Sequence, residues 1–233
     1  MNDDNEPAEH RVSAVRVWDL PTRVFHWLLA TSVIASVITA KIGGNAMVWH
    51  IRLGLLALAL LAFRVVWGFV GGHWSRFVSF LYPPSSVAAY LRGDTGPNGR
   101  FDVGHSPLGA LSVFALLLLL IVQVATGLVA DDEIATTGPL NRFVATALAL
   151  KATGWHKAVG QYLIITLVVL HIAAVLFYLF KKQRNLIAPM WHGDKHVAPG
   201  TPASADGMAQ RVLAVVLIGL ALSLSWWIAR LGA

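Results

Sequence analysis

No cysteine occurs in the 233 residues. That excludes haem attached through Cys-x-x-Cys-His, thiolate-held iron–sulfur clusters and disulfides, so any redox group must be held non-covalently. Charge is scarce as well. Asp, Glu, Lys and Arg make up 13% of the chain, which is 56% hydrophobic with a mean hydropathy of +0.63; soluble domains carry about 25% charged residues. There is no P-loop, dinucleotide fingerprint or Ser/His/Asp constellation. The first twenty residues hold Asp3, Asp4, Glu6 and Arg11 but no apolar run, so no cleaved signal peptide is expected. The net charge of +6 does not indicate nucleic acid, because the Lys and Arg flank apolar segments rather than forming one basic face.

What the chain does have is five long apolar stretches, at about 25–42, 49–70, 108–129, 159–180 and 212–231. Each approaches the roughly 20 residues that cross a hydrocarbon core as a helix. The predicted fold is an all-α integral membrane protein surrounded by lipid. Residues 1–195 hold the first four spans; residues 196–233 supply a Pro/Gly/Ser-containing linker around Pro199–Gly207 and a fifth span. Gly43-Gly44-Asn45 predicts a tight turn between spans one and two, and Gly93-Asp94-Thr95-Gly96-Pro97 punctuates the loop before span three. The segment from Asp131 to Lys157 is expected along the interface. Of 18 Lys and Arg, six (Lys41, Arg52, Arg142, Lys151, Lys157 and Arg230) fall on the side opposite the N-terminus and the other twelve on its side. This predicts an N-terminus inside and, with five spans, a C-terminus outside.

Nine histidines are present, and their positions carry the chemistry. His171 lies deep in span four within Leu167-Val168-Val169-Leu170-His171-Ile172-Ala173-Ala174, where an ionisable side chain is costly and marks function. His156 precedes it by fifteen residues, about 22 Å at helical rise and roughly 60° around the helix. One helix thus offers an imidazole toward each side of the membrane. His50 starts span two level with His156, and His26 starts span one on the same side as His171. Two cross-helix imidazole pairs at two depths suit two stacked bis-histidine haems.

Glycines one turn beyond His50, His105 and His156, at Gly54, Gly109 and Gly160, are read as leaving room for a flat macrocycle. His105, beside the cap residues Ser106 and Pro107, is expected near the inner haem propionates or a quinone head group. Arg23, Arg52, Arg64 and Lys157 are candidates to neutralise propionates. His192 and His196 share i, i+4 spacing, but the intervening Gly193 disfavours a helical metal site.

With these residues placed, the chain resembles the bacterial cytochrome b561 / nickel-hydrogenase b-type cytochrome family. The phrases that carry the resemblance run from Val17-Trp18-Asp19-Leu20-Pro21-Thr22-Arg23-Val24-Phe25-His26-Trp27 through Arg64-Val65-Val66-Trp67-Gly68 and Gly104-His105-Ser106-Pro107-Leu108-Gly109. Thr126-Gly127-Leu128, His171-Ile172-Ala173-Ala174-Val175 and Met190-Trp191-His192-Gly193-Asp194-Lys195 complete them. The resemblance implies a four-helix haem-binding bundle, residues 1–195, in a bacterial inner membrane, with two haem b groups that pass electrons between the quinone pool and a redox partner: a dehydrogenase, a hydrogenase or a periplasmic cytochrome c. It implies ligands from the first, second and fourth helices, which carries over to His26 and His171 for the inner haem and to His50 and His156 for the outer one, leaving His105 unliganded. The family phrase usually has Asn where Ser106 stands. Two other readings are a histidine-relay transporter or proton channel, and a membrane anchor subunit with structural haems.

Overall fold

The computed structural model describes residues 13–94, 96 and 101–232; Asp3, Asp4, Glu6, Arg11, Thr95 and Pro97, named above, lie outside the described residues. A short strand β1 (Ser13–Arg16) leads into α1 (Leu20–Ile42). Asp19 caps α1, its carboxylate accepting from Thr22 N at 2.8 Å, with Pro21 in the first turn where a missing N–H costs nothing. The helix stops at Gly43, whose φ of 68° favours glycine. The tight turn leads into α2 (Met47–Val70), followed by the short α3 (Pro84–Leu91) and then α4 (Pro107–Val129), capped by Ser106. The next span joins α5 (Thr146–Gly154), a π-helical turn over Trp155–Gly160 and α6 (Gln161–Phe180). After α7 (Ile187–His192), strand β2 (Asp194–Val197) pairs antiparallel with β1, Arg16 opposite Asp194, and α8 (Met208–Leu231) closes the chain.

Among the described residues, five helices are long and apolar enough to cross a membrane, and the protein is the all-α multi-pass bundle that its composition leads one to expect. The fourth of them begins at Thr146 rather than near residue 159. Lys151, Gly154, His156 and Lys157 interrupt the apolar run without interrupting the helix, since Ala and Leu around them favour it. The start of α1, the ends of α2 and α6 and the starts of α4 and α8 lie at one end of the bundle, called here the near face. The opposite end is the far face.

α2 is the hub, packed against α1, α4 and α8, while α4 also packs on α6. Phe25, Leu29, Leu60, Phe63, Trp67, Leu120 and Ile164 meet in the core. Leu118, Val169, Leu170 and Val215 stay exposed, as lipid-facing residues do. α8 approaches α2 through Ala214, Ala221 and Ser225, and Ser225 Oγ donates to Leu55 O at 2.7 Å. Small residues and a hydroxyl at such a seam let two membrane helices come close.

The near face is closed by a polar cap. Val17, Trp18, Trp74, Val103 and Val197 form a second cluster under the β1–β2 pair. The stretch before α8 is woven into it. Ser204 N donates to Arg16 O at 2.7 Å, Ser204 Oγ to Val17 O at 2.7 Å, and Trp74 Nε1 to Pro202 O at 2.7 Å. Arg16 bridges Asp194 at 2.6 Å and Asp206 at 2.8 Å.

Candidate functional site

Two histidine pairs cross the bundle, one at each end. At the far face, His50 in the first turns of α2 meets His156 in the π turn, ring centroids 5.9 Å apart and planes 84° apart. At the near face, His26 of α1 meets His171 of α6 at 6.4 Å and 53°. A metal bound through imidazole nitrogens at about 2 Å on each side puts two ring centroids roughly 6 Å apart. Both pairs have the separation of rings that share one iron.

The far pair also has its tautomers set. His50 Nδ1 lies 2.9 Å from Ser36 O, and His156 Nδ1 lies 2.9 Å from Gln123 O. A carbonyl only accepts, so each Nδ1 carries the proton and each Nε2 keeps a free lone pair. A hydrogen bond from the remote nitrogen is the usual support of a metal-binding histidine.

α4 forms the seat of His156. Thr126 Oγ1 lies 3.4 Å from its Nδ1. A Cβ on Gly127 would stand 2.8 Å from its Cε1, so only glycine admits the ring there. The other glycines correct the expectation of room for a macrocycle in two of three cases. A Cβ on Gly160 would meet Gln123 Oε1 at 2.0 Å, so this glycine accommodates a side chain of α4. One on Gly109 would meet Ser106 Oγ at 3.2 Å, against the helix cap. Only at Gly54 does nothing lie within 4 Å.

Around the near pair, buried polar atoms lack partners: His26 Nδ1, Arg23 Nε, Arg64 Nη1 and His105 Nδ1. Arg64 is 3% exposed, with its guanidinium 4.7 Å over the Phe77 ring. A buried guanidinium with an unused donor is costly unless an acceptor meets it. The planar fork suits a carboxylate. Such a donor set fits a group that carries carboxylates, as a haem does. Arg23 Nη1 donates to Trp191 O at 2.6 Å, tying α1 to α7.

His105 sits between Trp18 at 4.7 Å and Phe80 at 4.3 Å, and its carbonyl accepts from Tyr82 at 3.0 Å. Burial, with the positive charge of Arg64 next, pushes its pKa down to about 3, so the ring is neutral at physiological pH. Arg52 lies exposed, 5.1 Å over the Trp49 ring at the far face. His192 and His196 do not converge on one helical face, because Gly193 at φ 95° ends α7 and residue 196 lies in β2. Among the described residues there is no cluster of three metal-ligating side chains.

Two determinants escaped sequence reasoning. Asp19, fully buried, accepts from Thr22 N, Trp67 Nε1, Gly72 N and Ser75 Oγ, fastening the start of α1 to the end of α2 about two turns from His26. Gln123 was legible only as the single amide side chain in α4. At the far face, Asp132 accepts from Ile134 N, Ala135 N and Thr136 N. These donors, Thr136 first, hold its carboxyl well below the usual carboxylate range.

Residues 17–193 match the family described as prokaryotic cytochrome b561. The chain is 28% identical over 144 residues to a probable Ni/Fe-hydrogenase B-type cytochrome subunit of Azotobacter vinelandii, covering 50% of this chain and 58% of that relative. It is 23% identical over 212 residues to a probable Ni/Fe-hydrogenase 1 B-type cytochrome subunit of Escherichia coli (strain K12), covering 76% of this chain and 88% of that one. A similar subunit of Cupriavidus necator is 23% identical over 215 residues, 78% of this chain and 87% of its own. No solved structure matches.

Proposed function

Since the chain belongs to the prokaryotic cytochrome b561 family, a family of membrane b-type cytochromes that transfer electrons, we propose that it carries two haem b groups and links the quinone pool to a partner redox protein. His26 and His171 hold the near haem; His50 and His156 hold the far one. The single observation that supports this most is the pair of imidazole separations, 6.4 and 5.9 Å, at opposite ends of the bundle.

Haem iron, when bound, supplies a one-electron couple. The chain supplies the rest. His50 and His156 present Nε2 because their Nδ1 protons are engaged by Ser36 O and Gln123 O. Arg64, Arg23 and His105 offer unused donors to carboxylates at the near face, and Arg52 offers a cation at the far face. Phe25, Phe63, Leu120 and Ile164 keep water from the middle of the bundle. In that low-dielectric core, electrostatic tuning by nearby cations and hydrogen bonds is strong.

The excess of Lys and Arg at the near face supports a cytoplasmic location for it, with the protein in the bacterial inner membrane and the C-terminus in the periplasm. The relatives' names support a hydrogenase as partner, rather than a different dehydrogenase or a periplasmic cytochrome c. The far-face loop carrying Asp131, Asp132 and Glu133 is then where that partner approaches. A proton-relay transporter is disfavoured, because none of the five spans contains Asp or Glu.

Purified protein tests the reading. Two haems per chain, both reduced by a quinol or by a hydrogenase supplied with hydrogen, are expected. Colourless protein, or a single haem per chain, would refute it.

A further inference from the structure

We infer that Gln123 is a positioning residue for the far haem: its side chain props open the π turn that aims His156 at His50. This rests on the di-haem reading above. The span from Thr146 to Phe180 departs from α-helical hydrogen bonding at one place, Trp155–Gly160, and that place contains His156. A π turn is rare and must be stabilised by something outside its own ladder. Gln123 meets it twice. Its Nε2 donates to the His156 carbonyl at 2.9 Å, and its backbone carbonyl accepts from His156 Nδ1 at 2.9 Å. One residue of α4 therefore holds both the backbone and the ring of His156.

The space for that amide is made by Gly160. A Cβ there would lie 2.0 Å from Gln123 Oε1 and 2.8 Å from Trp155 Nε1. Gln123 Oε1 and Trp155 Nε1 are both buried. Gly127, one turn along α4, leaves room for the Cε1 edge of the ring. Without the amide the turn relaxes toward ordinary α geometry. One residue of register on an α-helix is about 100° of azimuth, so His156 swings away from its present angle to His50. The near pair has no such brace: His26 Nδ1 is buried without a partner.

Two consequences follow for the far haem. The two rings are held with planes 84° apart, an angle to which the low-field electron paramagnetic resonance signal of a bis-imidazole iron is sensitive. The Nδ1 hydrogen bond makes the His156 ring a stronger donor to the metal, which favours the oxidised state. Gln123 thereby sets both the signal and the midpoint potential of one haem of the two.

The test uses the full-length protein in detergent, with Gln123→Leu, Gln123→Glu and Gly160→Ala compared with His156→Ala. Gln123→Glu keeps the shape but, when ionised, has no hydrogen to give the His156 carbonyl. Gly160→Ala keeps the amide but removes its seat. All three are expected to shift the low-field signal and the midpoint potential of one haem, or to lose that haem, while the other haem keeps its spectrum and potential. His156→Ala is expected to remove the same haem entirely. If Gln123→Glu and Gly160→Ala both leave the two signals and potentials as in the parent protein, Gln123 does not position His156. If His156→Ala retains both haems, the ligand assignment itself falls, which is a separate result. Loss of both haems in Gln123→Glu would also overturn the inference, since it would make the residue a general support of the bundle.

Discussion

Asp19 offers the sharpest stability test. Its side chain is fully buried and receives four hydrogen bonds: Thr22 N at 2.8 Å, Gly72 N at 3.0 Å, Trp67 Nε1 at 3.2 Å and Ser75 Oγ at 2.6 Å. In Asp19→Asn one oxygen still caps α1, but the amide nitrogen now faces Gly72 N–H and the Ser75 hydroxyl. Ser75 can turn its lone pair round; the backbone N–H of Gly72 cannot. One orphaned buried donor costs about 1–3 kcal/mol, and exchanging charge-assisted bonds for neutral ones adds about 1 kcal/mol. The expected loss is about 2–4 kcal/mol, or roughly 5–15 °C in melting temperature on the scale of domains this size. Heating detergent-solubilised protein while following haem absorbance measures it. The near haem should be released first, because Thr22 and His26 lie one turn apart on the helix that Asp19 anchors. A melting temperature within about 1 °C of the parent would refute the reasoning.

Three further outcomes are expected. Gly127→Ala puts a Cβ where the His156 ring lies, 2.8 Å from its Cε1, and should displace the far haem while the near one persists; unchanged spectra would contradict this. Arg64→Leu removes a buried cation from the near face, which should lower the near haem's midpoint potential in a redox titration, because a neighbouring positive charge favours the reduced state; no change or a rise would contradict it. His105 has its pKa depressed to about 3 by burial, with the positive charges of Arg64 and Lys195 adding to the effect. Its contribution to stability is therefore complete above the unfolded value of about 6.5 and is lost as the pH falls from there toward 3, by up to about 1.4 kcal/mol per pH unit. His105→Asn should flatten the acid side of a melting-temperature profile, and an unaltered slope would exclude His105 as its source.

The spans were legible because a bilayer demands long apolar runs, and the histidines were legible because imidazoles are costly at such depth. What joins the elements was not. Asp19 reads as an ordinary helix cap; that it also binds Trp67, Gly72 and Ser75 depends on residues some fifty positions away. The start of the fourth span was hidden by Lys151 and Lys157, which sit near the end of a helix where basic side chains reach water. The π turn has no local signature, since the amide that stabilises it comes from α4. Gly160 shows the same limit: glycine one turn after histidine was visible, but the side chain filling the space belonged to Gln123 and not to a cofactor. The Pro199–Gly207 stretch has the composition of a loose connection, and only the contacts of Pro202 and Ser204 with Trp74, Arg16 and Val17 reveal it as part of the near-face cap.

Paired substitution of the histidines tests the account at its centre. Redox-resolved absorption spectra of His50→Ala and His171→Ala, each normalised to protein, should show one haem per chain in each variant, with a different spectral component missing from each. Two haems retained in both variants, or the same component lost from both, would contradict an arrangement in which residues 50 and 156 grip one haem and residues 26 and 171 the other.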